Sequence, residues 1–181
     1  MTEERSETWE WIRAILIAII LVFIIRTFIL TPVVVEGASM NPTLQDQDRM
    51  IVTKIGEPER FDIVVFHANE EQDYIKRVIG LPGDYIEYKE DTLYVNGEPF
   101  EEPYLERYKN DLTDGPLTNS FTLPETAVRS EVVPEGHLFV MGDNRRYSRD
   151  SRHIGAIPID EIVGTTKIVF WPFQDMKIIT N

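Results

Sequence analysis

The sequence FDIVVFHANEEQDYIKRVIGLPGDYIEYKEDTLYVNG, residues 61–97, decides the fold class of this chain. It contains four short apolar runs, FDIVVFH, YIKRVIG, DYIEYKE and TLYVNG, separated by polar residues, Gly or Pro. Runs of this length, rich in β-branched and aromatic residues and bounded by turn residues, are typical of β-strands. The alternation on either side of Glu90 and Asp91 predicts a hairpin that turns at these two residues.

The same pattern extends outward in both directions. Further short apolar runs lie at residues 33–37, 49–55, 137–142 and 164–171. After residue 30, no apolar pattern of helical period extends over ten or more residues, and there is no internal repeat. We therefore predict a mainly β domain built of many short strands.

Residues 9–30, WEWIRAILIAIILVFIIRTFIL, form the one long apolar stretch. A helix of this length is about 33 Å long, close to the roughly 30 Å of a bilayer's hydrocarbon core. The longest part of this stretch without a charge is residues 14–25, so a helix that spans the bilayer requires Arg13 and Arg26 to extend toward opposite interfaces. We expect a transmembrane anchor over residues 11–30, with a cleaved signal sequence and an interfacial helix as the alternatives.

The flanking residues favour an uncleaved anchor with a defined orientation. The best nearby candidate for a cleavage site, Glu36-Gly37-Ala38, has Glu at its −3 position, which disfavours cleavage. No basic residue lies between Arg26 and Arg49. The positive-inside rule then places residues 1–10 in the cytoplasm and residues 31–181 outside it.

Acidic residues outnumber basic ones, with 31 Asp and Glu against 18 Lys and Arg and a net charge of −13. Such a chain repels polyphosphate, so nucleic acid is not an expected partner. Residues 87–135 carry 12 of the acids against 4 bases, which predicts a small acidic insert in the β domain. Cysteine is absent, so a thiolate nucleophile is excluded, and no histidine spacing is typical of a metal site.

The candidate catalytic groups are a serine and a lysine. His67, His137 and His153 could serve as bases, but no Gly-x-Ser-x-Gly motif accompanies them. Lys76 lies in a predicted strand, where burial would lower its pKa and yield a neutral amine; a solvent-directed lysine on an edge strand is the alternative. Ser39 lies in the turn-forming segment GASMNPTL, residues 37–44, and Ser-Lys pairs are an established substitute for Ser-His pairs.

Four segments occur in order behind the apolar stretch: SMNPTL at 39–44, FDIVVF at 61–66, YIKRVIGLPGD at 74–84 and GDNRRYSRDSR at 142–152. Together they resemble the type I signal peptidases, membrane-bound Ser-Lys endopeptidases that remove signal peptides from exported proteins. The resemblance covers residues 9–171 and implies a catalytic domain of antiparallel β-sheets. The single anchor and the small insert are similar to the Gram-positive bacterial branch.

The resemblance implies a role for individual residues. Ser39 matches the nucleophile, Lys76 the general base, and Ser148 the hydroxyl that orients the lysine. Four further residues match the ion pairs that brace the site in this family, and the resemblance implies that Asp150 lies beside Arg152. The four residues are Asp143, Asp150, Arg77 and Arg152. Pockets for small substrate residues at positions −3 and −1 would be lined by Val35, Met40 and Ile79.

One position departs from the family's enterobacterial form. There, a serine two residues before the nucleophile donates a hydrogen bond to the oxyanion, whereas this chain has Gly37. The backbone N–H of Ser39 is therefore the firmer candidate for an oxyanion donor.

The implied protein is a single-pass enzyme of the cell membrane that needs no metal or organic cofactor. Its expected partners are secretory preproteins and the lipid bilayer, and the signal peptide would pair as an extended strand with the edge at residues 33–37. Two alternatives remain. One is a Ser-Lys peptidase of another substrate class, such as the self-cleaving repressors, and the other is an inactive membrane-tethered β domain that binds peptides.

Overall fold

The structure, a computed structural model, describes residues 3–69 and 71–179. Its first element is helix α1 (Glu3–Phe28). The part Glu7–Phe28 has 22 residues and is long and apolar enough to cross a bilayer, and no other described helix meets that test. The helix ends two residues before the predicted limit at residue 30, because Leu30 already pairs with Thr53 as a strand residue.

The described residues form two sheets in which every strand pair is antiparallel. In the larger sheet the strands follow the order β1-β2-β11-β3-β4-β9-β10, and β12 pairs with β11. Its strands are β1 (Leu30–Val34), β2 (Arg49–Thr53), β3 (Ile63–Asn69), β4 (Gln72–Gly80), β9 (His137–Met141), β10 (Ile157–Pro158), β11 (Ile162–Trp171) and β12 (Lys177–Ile178). The predicted mainly β fold with an N-terminal apolar helix is confirmed.

The smaller sheet has four strands in the order β7-β6-β5-β8. They are β5 (Ile86–Lys89), β6 (Thr92–Val95), β7 (Glu98–Phe100) and β8 (Phe121–Thr122). Strands β5 and β6 form the predicted hairpin, whose turn residues Glu90 and Asp91 have φ values of 49° and 62°. Both values lie in the left-handed region that a two-residue hairpin turn of type I′ requires.

Most of the acidic segment 87–135 belongs to this smaller sheet and the connections around it. Its carboxylates are exposed or partly exposed, with the exception of Glu102. Its apolar side chains Tyr88 and Leu93 are buried in one cluster with Ile79 and Phe139 of the larger sheet. The segment therefore shares a core with the larger sheet.

Two short helices complete the elements that matter for the site: α2 (Glu106–Asp111) and α3 (Ser151–Ile154). A separate core cluster fixes the chain that follows β1, because Val35, Met40 and Leu44 pack there with Met50 and Val52 of β2. The segment between Val35 and Leu44 is thus held on the larger sheet at both of its ends.

Candidate active site

Ser39 is positioned by the buried residues around it. Val35 and Met40 are 2% and 1% exposed, and Ser39 is partly exposed between them. The amide of Val35 donates to the carbonyl of Asp48, and the amide of Leu44 donates to the carbonyl of Met40. These bonds and apolar anchors hold a tight turn whose serine hydroxyl faces a groove.

Lys76 approaches this hydroxyl from the middle of the larger sheet. It lies on β4, where Val64 of β3 is its cross-strand partner. Its Nζ donates hydrogen bonds of 2.8 Å to Ser39 Oγ and of 2.8 Å to the carbonyl of Ile75. The structure thus brings together the two residues that the sequence analysis selected as nucleophile and base.

Burial changes the acidity of Lys76. The side chain is only 3% exposed, and loss of water around the ammonium lowers the pKa of Lys76 from its ordinary value of 10.5 to about 8. The negative charges of Asp150 and Asp143 oppose this shift without cancelling it. An amine with this pKa is neutral in a substantial fraction of molecules at mildly alkaline pH, so it can accept a proton from Ser39.

Two carboxylates anchor the loop that follows β9. Arg77 donates to both oxygens of Asp143, at 2.9 and 2.6 Å, and both side chains are fully buried. Arg152 donates to both oxygens of Asp150, each at 2.8 Å. The Asp150 carboxylate also accepts a hydrogen bond from the backbone amide of Gly142. Both ion pairs implied by the family resemblance are therefore present.

Ser148 lies next to the site, and its hydroxyl does not contact Lys76 within hydrogen-bonding distance. Its Oγ is buried and forms no hydrogen bond of ordinary geometry among the described residues, although it lies near enough to the Asp150 carboxylate to help lower the pKa of that group. A Cβ added to Gly142 would collide with Ser148 Oγ and with the carbonyl oxygen of Ser39. Ser148 therefore lies beside the turn that carries Ser39, and its role in orienting Lys76 stays a prediction.

Asn144 and Arg145 were not selected from the sequence, although both hold the same loop. The amide of Asn144 donates to the carbonyl of Ser39, and its side-chain Nδ2 donates to the carbonyl of Ala38. Arg145 is buried, forms an ion pair with Glu102 and donates to Tyr88 in the smaller sheet. The GDNRR segment could have drawn attention to Asn144 and Arg145, but their hydrogen-bond partners lie far away along the chain.

The residues around Ser39 limit the choice of an oxyanion donor. Within the described part of the chain, the backbone N–H of Ser39 has no hydrogen-bond acceptor. The N–H of Gly37 is already bound, at 2.7 Å, to Oδ1 of Asp46. Gly37 also has a φ of 85°, a conformation in which a serine would be strained. The free amide of Ser39 is thus the better donor of the two.

A groove of about 830 Å³ opens at the Ser39 hydroxyl. One wall is formed by residues 33–40, which include Val35 and Met40, and another by residues 71–76. Ile79 does not line this groove; it is fully buried in the cluster shared with the smaller sheet. The expectation that Ile79 forms a pocket wall is corrected, because its side chain is fully enclosed in that cluster and presents no surface to the groove.

Comparisons with known proteins agree on one family. The sequence profile described as signal peptidase, peptidase S26, matches residues 8–171. A signal peptidase I of Bacillus caldolyticus is 50% identical over 176 residues, which are 95% of this chain and 94% of that protein. A signal peptidase IB of Staphylococcus aureus is 46% identical over 180 residues, 96% and 94% of the two chains. The crystal structure of a signal peptidase I from Enterococcus faecalis V583 matches with a TM-score of 0.59 and 42% identity, and covers 62% of this chain and 98% of that one.

Proposed function

The chain belongs to the signal peptidase family, peptidase S26, and is a serine endopeptidase; we propose that it removes N-terminal signal peptides from exported preproteins. In this proposal Ser39 is the nucleophile and Lys76 is the general base. Helix α1 anchors the enzyme in the cell membrane, with residues 1–10 in the cytoplasm and the β domain outside. The observation that carries the chemistry is the 2.8 Å contact between Lys76 Nζ and Ser39 Oγ at a buried lysine.

The chemistry begins with neutral Lys76. Its amine takes the proton of Ser39 Oγ as that oxygen attacks the scissile carbonyl carbon, and a tetrahedral oxyanion forms. The protonated Lys76 then gives its proton to the leaving amine, the C–N bond breaks, and an ester links the signal peptide to Ser39. A water molecule, deprotonated by Lys76, hydrolyses this ester and restores the free serine.

The oxyanion needs a donor that is aimed before the reaction starts. The free N–H of Ser39 meets this need, because Asn144 holds the carbonyls of Ala38 and Ser39 in fixed directions. The ion pairs of Asp143 and Asp150 keep the loop that carries Asn144 in place. These residues position the nucleophile and do not themselves exchange protons with the substrate.

The distance from the helix to the nucleophile supports a substrate that lies partly in the membrane. Ser39 follows Leu30 by nine residues, which span at most roughly 32 Å even when fully extended. The bends at Gly37 and Ala38 shorten this path further. A signal peptide with its apolar core in the bilayer would therefore present its cleavage site near Ser39, along the edge formed by residues 33–37.

The groove beside Ser39 favours small residues in the substrate. Val35 and Met40 line it and are packed into the core cluster around them, so their side chains have little room to move aside. Placing a large residue against a packed wall costs typically about 1–3 kcal/mol, and about 1.4 kcal/mol changes a rate tenfold. The groove thus discriminates by excluding large residues.

A substitution series in a cleavable preprotein tests this proposal. We expect Leu in place of Ala at −1 to lower kcat/KM at least about tenfold, whereas Leu at −2 has little effect because alternate residues of an extended strand point away from the groove. The new N-terminus of each product is identified by mass spectrometry. Equal tolerance of Leu at −1 and −2 would refute the signal-peptide specificity.

A further inference from the structure

Residues 142–152, which comprise the loop after β9 and the start of α3, contain four arginines, and one of them differs from the rest. Arg145, Arg146 and Arg152 each form an ion pair, with Glu102, Asp114 and Asp150 respectively. Arg149 has no carboxylate within ion-pair distance among the described residues, and its side chain is exposed. Three of the four arginines thus have a visible structural role, and Arg149 does not.

Arg149 lies where the catalytic groove meets a second cavity. It lines the groove at Ser39 together with Tyr147, and these two residues flank the buried Ser148. It also lines a second cavity of about 800 Å³, which shares His67 and Tyr74 with the first. The guanidinium is thus available to a chain that passes from one cavity to the other.

The loop that carries Arg149 lies beside the nucleophile itself. The amide of Asn144 is bonded to the carbonyl of Ser39, and Ser148 packs near the same carbonyl. Strand β1 leaves the end of α1 and runs toward Ser39. A substrate that enters from the membrane side runs in the same direction, so its residues before the scissile bond lie along positions 33–37. Its residues after that bond then meet the loop.

We propose that Arg149 is a specificity residue that binds a carboxylate side chain within the first three residues after the scissile bond. This inference rests on the proposed function of the same site. Apart from Lys76, which is buried beside Ser39, the other Asp, Glu, Lys and Arg side chains that line the groove are acidic: Glu36, Glu71 and Asp73. Arg149 is therefore a local positive centre in a strongly acidic protein, and it attracts a negative group that the rest of the surface repels.

The test compares substrates that differ in one charge. A cleavable preprotein receives Asp or Lys at +1, +2 or +3, one position at a time, and kcat/KM is measured for each pair with the full-length enzyme in detergent. We expect the wild type to prefer Asp over Lys by about fivefold at one of these positions, the range of a partly exposed ion pair. The preference should decrease in high salt, which screens exposed charges.

Two variants with the same change in net charge give the control. Arg149→Glu should reverse the preference at that position, whereas Arg107→Glu, on the exposed surface of α2, should leave it as in the wild type. The preference is the ratio of kcat/KM for the Asp substrate to kcat/KM for the Lys substrate with one enzyme, so a loss of overall activity does not affect it. Equal cleavage of Asp and Lys substrates at all three positions, or an unchanged preference in Arg149→Glu, overturns the role of Arg149 and leaves the proposed function intact. Failure to cleave any of the substrates would overturn both.

Discussion

At the scale of single residues, the proposed mechanism makes the activity depend on the protonation state of Lys76. Only the neutral amine can accept the Ser39 proton, and burial lowers the pKa of Lys76 to about 8. We therefore expect kcat/KM to rise about tenfold per pH unit in the acidic range and to level off above a midpoint near pH 8. A pH profile that is flat between pH 6 and 9 would contradict a lysine base.

Variants of Lys76 distinguish a site that needs a proton acceptor from a site that needs only a positive charge. Lys76→Arg retains the charge, but a guanidinium with a pKa above about 12 cannot act as a base at neutral pH. We expect this variant to be as inactive as Lys76→Ala in the preprotein assay. The control is Lys167→Arg on β11, an exposed lysine that pairs with Asp62 and lies outside the groove. Turnover by Lys76→Arg comparable with that control would show that the site requires only the charge.

At the scale of secondary-structure elements, the Arg77–Asp143 pair joins β4 to the loop after β9. Both side chains are fully buried, so removing one leaves the other charged and without its partner in the core. We expect Asp143→Ala to lower the free energy of unfolding of the β domain by about 3–5 kcal/mol. Asp114→Ala is the control, because its bond to Arg146 lies at the surface. Equal denaturation midpoints for the two variants would show that the buried pair contributes little.

The longer strands could be predicted from the sequence because their residues carry the signal themselves. Strands β3 and β4 are rich in Val and Ile and were predicted to within two residues. Strands β8, β10 and β12 have only two residues each, and they exist because neighbouring strands offer pairing partners. No local pattern marks so short a strand.

The site was predictable in part for a similar reason. Ser39, Lys76 and the GDNRR segment stand in recognisable motifs, and the family that these motifs indicated for the chain is confirmed. The bond between Arg145 and Glu102 joins residues 43 positions apart, and nothing in either local sequence indicates the other. The error at Ile79 has the same cause, because the side chains that cover it belong to the smaller sheet, and nothing in the local sequence of β4 indicates that contact.

At the scale of the whole molecule, α1 and the short β1 segment should hold the catalytic groove close to the outer surface of the cell membrane. Proteinase added to intact spheroplasts should therefore digest residues 31–181 and leave a small N-terminal fragment. The fragment is identified by mass spectrometry, and a cytoplasmic protein that stays intact shows that the membrane is sealed. Protection of the β domain until lysis would place it in the cytoplasm.

The most direct test of the catalytic assignment compares the wild type with Ser39→Ala on a purified preprotein. Ser39 is partly exposed on a turn that its buried neighbours hold, so the variant should unfold at the wild-type temperature. We expect the wild type to release one mature chain, cut after small residues at −3 and −1, and the variant to be slower by at least about 10³-fold. Cleavage by a folded Ser39→Ala at more than about a tenth of the wild-type rate would contradict Ser39 as the nucleophile.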